Sequence, residues 1–274
     1  MNDLSSLPFL VDTLNTVQNL RQSAGNRITH LKKQEKEDSR IEKFHNIFQS
    51  VEDSLVDTIS PMVESHPTWK WGKRVKGVGS ENLGKVIGLI EKVKKDNKCG
   101  VECFDTPSKL VRFCGLAVID GRAEKKVSGE KLHYNSELRS MLWRLSVSLT
   151  MAKGKFYNYY LNEKDYLIRR YEKEGKKIIP TPLGRYCPNC ELVVSVKTAK
   201  NCPDCGLRLE SKKEAENIIF EGHLHNSALR RMTRMFLIML YTARREELGL
   251  SVSVPYPVEH LGHSKIFTPQ DFCE

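Results

Sequence analysis

The chain has 274 residues, a formal net charge of +10 at pH 7 and a sequence pI of about 9.1. This length is enough for one large domain or two small ones, each with its own core. The excess of Lys and Arg favours an acidic partner, and nucleic acid is the first candidate, although charge alone speaks only to nonspecific binding. The sequence has no run of eighteen apolar residues and no basic-then-apolar leader, so we expect a soluble, cytoplasmic protein that does not enter a membrane.

Residues 1–66 are predicted to form an antiparallel helical hairpin that serves as a packing or dimerising arm. In its second half, apolar residues recur every three or four positions, as in a coiled-coil seam. These residues are Ile41, Phe44, Phe48, Val51, Leu55, Ile59 and Met62. Pro61 and Pro67 mark the predicted end of the second helix. The alternative is a nucleic-acid contact through the basic stretch 21–33.

Residues 67–180 are predicted to form a helical domain around a glycine-rich corner. Gly77-Val78-Gly79 followed by Ser80 is typical of a helix-hairpin-helix turn, in which glycines permit positive φ and close backbone approach. Ser80 is the predicted N-cap of the next helix, whose free amides and positive dipole end would hold a phosphate without reading a base. Four basic residues flank the corner: Lys73, Arg74, Lys76 and Lys85. An ordinary helix-helix turn, with glycine used only for packing, is the alternative.

The rest of this domain carries helix-start signals and a basic loop. Thr106 or Asp105 with Pro107 predicts one helix start, and Asn135 predicts the next, on a helix whose Trp143 is expected in the core. Between them, a short β-hairpin with a turn at Asp120-Gly121 is expected. The basic residues that we expect to face nucleic acid here are Arg122, Lys125, Lys126 and Arg139.

Residues 181–212 are predicted to form an inserted zinc ribbon. Of the eight cysteines, four fall in two C-x-x-C pairs, at Cys187 and Cys190 and at Cys202 and Cys205. Eleven residues separate the pairs, a spacing that lets two knuckles direct four sulfurs at one tetrahedral Zn²⁺. Four protein ligands leave no open position, so the predicted role of the ion is structural. A redox dithiol and an iron–sulfur cluster are the alternatives.

Residues 213–274 are predicted to form a C-terminal helical part that packs on the preceding helical domain. His223, His225, His260, His263 and Cys273 lack the spacing of a metal site, and capping or hydrogen-bonding roles are expected for them. The overall prediction is therefore a mainly α protein with a small inserted β ribbon.

The order of these segments resembles the C-terminal half of certain insertion-sequence transposases, the Piv/MooV (pilin-gene-invertase) class. The resemblance rests on the helical arm, the Gly-Val-Gly corner, segment 108–117, segment 134–139 and the tail from His223 to His263, and it spans roughly residues 10–175 and 220–272. Active members of that class are RNA-guided DNA recombinases. The resemblance implies DNA binding in transposition or recombination, and an RNA-binding adaptor is a further alternative.

Two departures from the family pattern bear on catalysis. Full members begin with a ribonuclease-H-like domain that supplies four metal-binding acids, and this chain has no comparable acid-tipped strands before its arm. The family also attacks DNA with a serine, and only Ser128, followed by Gly129, stands in the matching interval. A serine hydroxyl needs an activating base or metal, and an ordinary glycine turn explains Ser128 equally well. We therefore expect a chain that is not catalytic alone, with a Ser128-dependent recombinase component as the alternative.

Overall fold

The computed structural model describes residues 4–119, 122–181, 184–195, 199–210, 214–252 and 266–274. The chain divides into two compact units, Met1–Tyr157 with Thr233–Glu274 and Asn158–Met232. Within the described residues the protein is mainly helical, with eight α-helices and eight short strands. None of the described helices is long and apolar enough to cross a membrane.

Six of the described helices lie in the first unit, and two have residues in both units. The helix bounds are α1 Leu7–Lys32, α2 Ser39–Ser65, α3 Trp69–Gly72, α4 Ser80–Glu91, α5 Pro107–Phe113, α6 Ser136–Ala152, α7 Lys155–Lys173 and α8 Glu221–Glu247. Two 3₁₀ turns span Gly100–Cys103 and Pro269–Phe272.

The strands are two or three residues long and pair in twos. Antiparallel pairs join β1 Lys94–Lys95 with β2 Lys98–Cys99, β3 Val118–Ile119 with β4 Arg122–Ala123, and β6 Arg185–Tyr186 with β7 Val193–Val194. A parallel pair joins β5 Lys177–Ile179 with β8 Ile218–Phe220. The β3–β4 pair agrees with the expected hairpin, whose turn at Asp120-Gly121 lies outside the described residues.

Helices α1 and α2 run antiparallel. Gln18 of α1 donates to Glu52 of α2 (3.0 Å), and Gly25 of α1 faces His45 of α2. Residues later in α1 therefore lie beside residues earlier in α2. The apolar seam predicted for α2 is not a continuous buried stripe, because Phe44 is 57% and Val51 41% exposed whereas Ile59 is buried. The prediction that Pro61 marks the end of α2 was wrong, because Pro61 lies inside this helix, which continues to Ser65.

Helix α4 is the centre of the first unit. Its apolar residues Leu83, Val86, Ile87, Leu89 and Ile90 are all buried. Two glycines on the same helix bring its backbone against its neighbours. A Cβ on Gly84 would lie 2.6 Å from Val63 of α2, and one on Gly88 would lie 2.7 Å from Val11 of α1. The close approach of α1 and α2 thus fixes where the N-terminus of α4 lies.

A buried polar network crosses the same helices. Lys85 of α4 is only 5% exposed, and its ammonium donates to Gln18 (2.9 Å) and to Glu81 (2.5 Å). Gln18 in turn donates to Glu52, which is also paired with Arg21 of α1 (2.5 Å). A buried ammonium is stable only when it is paired and hydrogen-bonded, and this network supplies both conditions.

The predicted helix starts of α5 and α6 are confirmed. Thr106 accepts from the amide of Lys109, and Asn135 accepts from the amide of Leu138 at 2.9 Å. The prediction that Trp143 is a core residue was wrong, because its side chain is 49% exposed on α6. Helix α6 ends at Ala152, where Lys153 takes a left-handed conformation with φ 55°.

In the second unit, side-chain pairs join the parts of α7 and α8 that belong to this unit. The hydroxyl of Tyr160 lies 2.7 Å from Nδ1 of His225, and Arg231 donates to Glu163 (2.7 Å). Tyr160 is buried, which explains why its hydroxyl needs a partner. The residues of the predicted ribbon belong to this unit.

Candidate metal centre and candidate nucleic-acid interface

The two C-x-x-C pairs converge on one point. The sulfurs of Cys187, Cys190, Cys202 and Cys205 all lie within 4.8 Å of one another, and none of the four forms a disulfide. Tetrahedral Zn²⁺ with bonds of about 2.3 Å places its sulfurs about 3.8 Å apart, so this spacing fits a metal ion. The four cysteines can therefore hold a metal.

Backbone turns hold each pair in place. The amide of Cys190 points at the sulfur of Cys187 (3.5 Å), the amide of Cys187 donates to Leu192, and that of Cys202 donates to Leu207. Strands β6 and β7 carry the first pair, through the register Arg185 to Val194 and Tyr186 to Val193. Leu209, 2% exposed, fills the small core beneath the sulfurs.

The electrostatics of the cluster favour a cation. Cys187 and Cys202 are buried, and Cys190 and Cys205 are half-buried. The hydrogen bond that the Cys190 thiol donates to Cys205, together with burial, raises the pKa of Cys190 to about 12. Four crowded thiols cannot all ionise without a positive charge between them, whereas a divalent ion binds the thiolates directly.

The basic residues around this cluster are solvent-exposed where they are described. Arg185, Lys200 and Arg208 are all exposed, and Lys197 lies outside the described residues. The histidines of the C-terminal part have protein partners where they are described: Nδ1 of His223 is hydrogen-bonded to Glu214 (2.7 Å) and Nδ1 of His225 to the Tyr160 hydroxyl. His260 and His263 lie outside the described residues.

The glycine corner joins α3 to α4, and its two glycines have different surroundings. Gly77 has φ 92°, and a Cβ there would lie 2.8 Å from that of Ala152 on α6. The hydroxyl of Ser148, which the sequence did not single out, donates to the Gly77 carbonyl at 2.8 Å. Gly79 is exposed, with φ −94°, and a Cβ there would meet no atom within 4 Å. Gly77 thus anchors the corner on α6, while Gly79 faces open space.

Gly79, not Ser80, is the N-cap of α4. The Ser80 hydroxyl instead donates to Ser60 (3.0 Å), and the first bond into the helix runs from the amide of Leu83 to the Gly79 carbonyl. No side chain among the described residues caps α4, so its first amides keep their donor capacity. The difference arises because Ser80 is drawn toward α2.

The four basic residues predicted around the corner fall into two groups. Lys73, Arg74 and Lys76 are exposed. Arg74 donates to Gln270 (2.8 Å), and Lys76 lies 3.8 Å from the Glu274 carboxylate, a long exposed pair that contributes little. Lys85 is the exception, since it is buried and bonded to Gln18 and Glu81, and it cannot contact a ligand outside the protein.

The loop around Ser128 presents exposed residues. Ser128, Lys125 and Lys126 are all exposed, and Gly129 has φ 84° with open space around it. No hydrogen bond joins the Ser128 hydroxyl to a carboxylate or histidine within the part of the chain that the structure describes. His133 and Glu130 are exposed, and Asp120 lies outside the described residues.

Two further basic residues were predicted to face nucleic acid from this region. Arg139 donates to the Glu124 carbonyl (2.8 Å) and lies over the Tyr134 ring at 5.0 Å, so it also holds the loop onto α6. The backbone of Arg122 belongs to β4, and its side chain lies outside the described residues.

Comparison of the chain with protein-family models, with curated proteins and with solved structures finds no match.

Proposed function

We propose that this protein binds the sugar-phosphate backbone of DNA at the N-terminus of α4, and that it carries one structural Zn²⁺ in its cysteine cluster. The observation that carries the DNA proposal is the uncapped start of α4 at Gly79, exposed beside three exposed basic residues. A helix N-terminus offers free amides and the positive end of a dipole to an anion. The transposase resemblance points to a role in transposition or recombination.

The surroundings of this helix end support a phosphate over a carboxylate from the protein itself. Glu81 is the acidic residue of the first turn, and its carboxylate is engaged by Lys85 and by Gln18 (3.1 Å). Burial alone would raise the pKa of Glu81, but these hydrogen bonds lower it below its usual value, so the carboxylate stays ionised and paired. Its charge is thereby largely neutralised by Lys85 and opposes a bound phosphate little.

The test is the salt dependence of binding to labelled duplex DNA, branched DNA and RNA. Each phosphate contact that is lost lowers the slope of log K against log salt by about 0.9 for duplex DNA. Lys73→Ala/Lys76→Ala should therefore lower that slope by roughly 2. Lys173→Ala/Lys177→Ala, at exposed positions on the end of α7 and on β5, is the charge-matched control and should leave the slope unchanged. An equal loss in both pairs would mean that only net charge matters, and a preference for RNA would favour the adaptor alternative.

The metal proposal rests on the sulfur geometry. Zinc fits four thiolates in a closed tetrahedral set and leaves no position for catalysis. Metal analysis should find about one zinc per chain, lost in Cys187→Ser. An iron–sulfur absorbance band in protein purified without oxygen would overturn this assignment.

A second candidate function is a recombinase component in which Ser128 is the nucleophile. The exposed position of Ser128, between two lysines and a glycine with open space, favours it because a DNA phosphate can reach the hydroxyl. The activating groups must then come from a partner. Strand cleavage that disappears in Ser128→Ala while DNA binding persists would support this candidate, and unchanged cleavage would reject it.

The arm offers a surface for a second copy of the chain. Phe44, Ile47 and Val51 are 57%, 45% and 41% exposed at helical spacing on α2. We propose that these residues pack against the same helix of another chain. Light scattering should show a dimer that becomes monomeric in Phe44→Glu/Val51→Glu, and a monomeric wild-type protein would reject the proposal.

A further inference from the structure

The first unit contains a cavity of about 1080 Å³ that plays no part in the functions proposed above. Three segments line it: the start of α1, the chain from the end of α4 through β2, and one residue of α8, Arg244. His66 at the end of α2 completes the lining. The volume is that of a pocket for a small organic ligand.

Part of the cavity lining is a group of polar side chains centred on Glu91. The amide of Thr68 donates to Nδ1 of His66 (3.2 Å), so Nε2 of that ring carries the proton and faces Glu91 at 3.7 Å. The thiol of Cys99 donates to the same carboxylate at 3.0 Å. Gly100 has φ 62°, and a Cβ there would lie 2.6 Å from the Glu91 carboxylate, so a side chain at this position would displace that carboxylate. Glu91 is therefore satisfied by the protein itself.

Arg244 leaves one donor without a protein partner. Its Nη1 atom is fully buried and has no hydrogen-bond partner among the described residues. A buried guanidinium donor that lacks an acceptor costs free energy, and such groups are found where a ligand or solvent supplies the acceptor. The atom itself has no accessible surface, so a ligand would reach it only after the guanidinium turns toward the cavity that Arg244 lines.

The cavity is positively charged. Five Lys and Arg residues line it, against the two carboxylates of Glu91 and Asp96. The basic residues are Lys92, Lys94, Lys95, Lys98 and Arg244. Lys92 is paired with Asp12, whereas Lys94, Lys95 and Lys98 are exposed on the β1–β2 hairpin. No acidic side chain lies in the first turn of α1, whose N-terminus adds a further positive partial charge.

The remaining part of the lining is apolar. The apolar lining comes from the start of the chain and of α1, and Phe9 there is 69% exposed. Its residues are Leu4, Leu7, Pro8 and Phe9. An exposed aromatic ring beside a cluster of lysines suits a ligand with a planar ring and a phosphate chain, because nucleic-acid bases stack on aromatic side chains. Phosphate oxygens supply the acceptors that the lysines and Arg244 require.

We infer that this cavity binds a nucleotide, with its phosphates on Lys94, Lys98 and Arg244 and its base against Phe9. The same chemistry is offered by a free nucleoside triphosphate and by the 5′-phosphorylated end of a single strand. A duplex is too wide for a pocket of this volume, which separates this site from the one proposed at α4. The inference does not depend on the α4 proposal.

The experiment is calorimetric titration of the zinc-loaded full chain with ATP, with inorganic pyrophosphate and with a short 5′-phosphorylated single strand. The wild-type protein should bind ATP or the strand with a Kd below about 1 mM. Lys94→Ala/Lys98→Ala should weaken this binding by about tenfold, and the control Lys173→Ala/Lys177→Ala should change it less than about twofold. Both lysine pairs are exposed, so both variants are expected to fold.

Two further variants test the buried donor and the ring. Arg244→Met should weaken the binding of all three ligands. Phe9→Ala should weaken the binding of ATP and leave that of pyrophosphate unchanged. Tighter binding of ATP identifies a free nucleotide as the ligand, and tighter binding of the strand identifies a strand end. The inference is overturned if none of the three ligands binds, if the two lysine pairs lose affinity equally, or if pyrophosphate binds as tightly as both nucleotide ligands.

Discussion

Replacing Gly79 by aspartate should separate the stability of α4 from its ability to bind DNA. Gly79 has φ −94° and ψ 162°, a conformation open to any residue, and its Cβ position is free of contacts. Aspartate is a better N-cap than glycine, so the free energy of unfolding should rise by about 0.5 kcal/mol in Gly79→Asp. The introduced carboxylate would occupy the place proposed for a DNA phosphate.

The expected cost to binding follows from the amides that the introduced carboxylate would satisfy. Loss of a charge-assisted hydrogen bond of about 1.5–3 kcal/mol corresponds to roughly 10- to 100-fold weaker binding. Gly79→Asn is the matched control, since asparagine caps equally well without the charge. It should gain similar stability and lose clearly less affinity.

The assays are thermal or denaturant unfolding for stability and fluorescence anisotropy with a labelled duplex for affinity. Anisotropy is best measured at low salt, where screening is weakest. A Gly79→Asp protein that is as stable as expected and still binds duplex as tightly as the wild type would contradict the proposed phosphate contact. In that case the end of α4 does not contact the ligand, and the corner serves only in packing.

The remaining predictions concern Gly77, the metal and Glu91. Gly77→Ala should lower the free energy of unfolding by about 1–3 kcal/mol, because Gly77 has positive φ and the new Cβ would lie only 2.8 Å from that of Ala152. Gly79→Ala should be tolerated, and denaturant titration of the two variants measures the difference. Because the pKa of Cys190 is raised to about 12, zinc must displace thiol protons at neutral pH, and the affinity for zinc should increase with pH. Competition with a chelator between pH 6 and 8 measures this affinity, and an affinity that does not change with pH would contradict the prediction. Burial would raise the pKa of Glu91, but the His66 ring 3.7 Å away and the hydrogen bond from Cys99 lower it below 4.5. The contribution of Glu91 to stability is therefore present above pH 4.5 and is lost as the pH falls through the lowered value. Glu91→Gln should therefore cost about 1–3 kcal/mol of unfolding free energy at pH 7 and much less near pH 3, and an equal cost at both pH values would show that charge is not involved.

Local chemistry explains which features the sequence predicted. The caps at Thr106 and Asn135 depend on side-chain bonds to amides three residues away, so their sequence neighbourhood decides them. The cysteine cluster followed from spacing for the same reason, because each C-x-x-C pair forms its own turn.

Features decided by distant packing were missed. Lys85 reads as one more surface lysine beside the corner, yet Gln18, 67 positions away, accepts its hydrogen bond within the core. Helical spacing predicts that Trp143 and Phe44 lie on an apolar face, but spacing does not show whether another element covers that face. The cavity combines residues near 4–9, 91–99 and 244, which no local pattern brings together.

The most direct test of the central proposal is an amide-resolved NMR titration of the zinc-loaded protein with a short duplex. If a phosphate is held at the start of α4, the amide signals of Gly79, Ser80 and Glu81 should shift early and saturably. The amides of Leu89 and Ile90, at the buried end of the same helix, are the internal reference. Saturable duplex binding that shifts signals elsewhere and leaves these three amides unchanged would contradict the proposal.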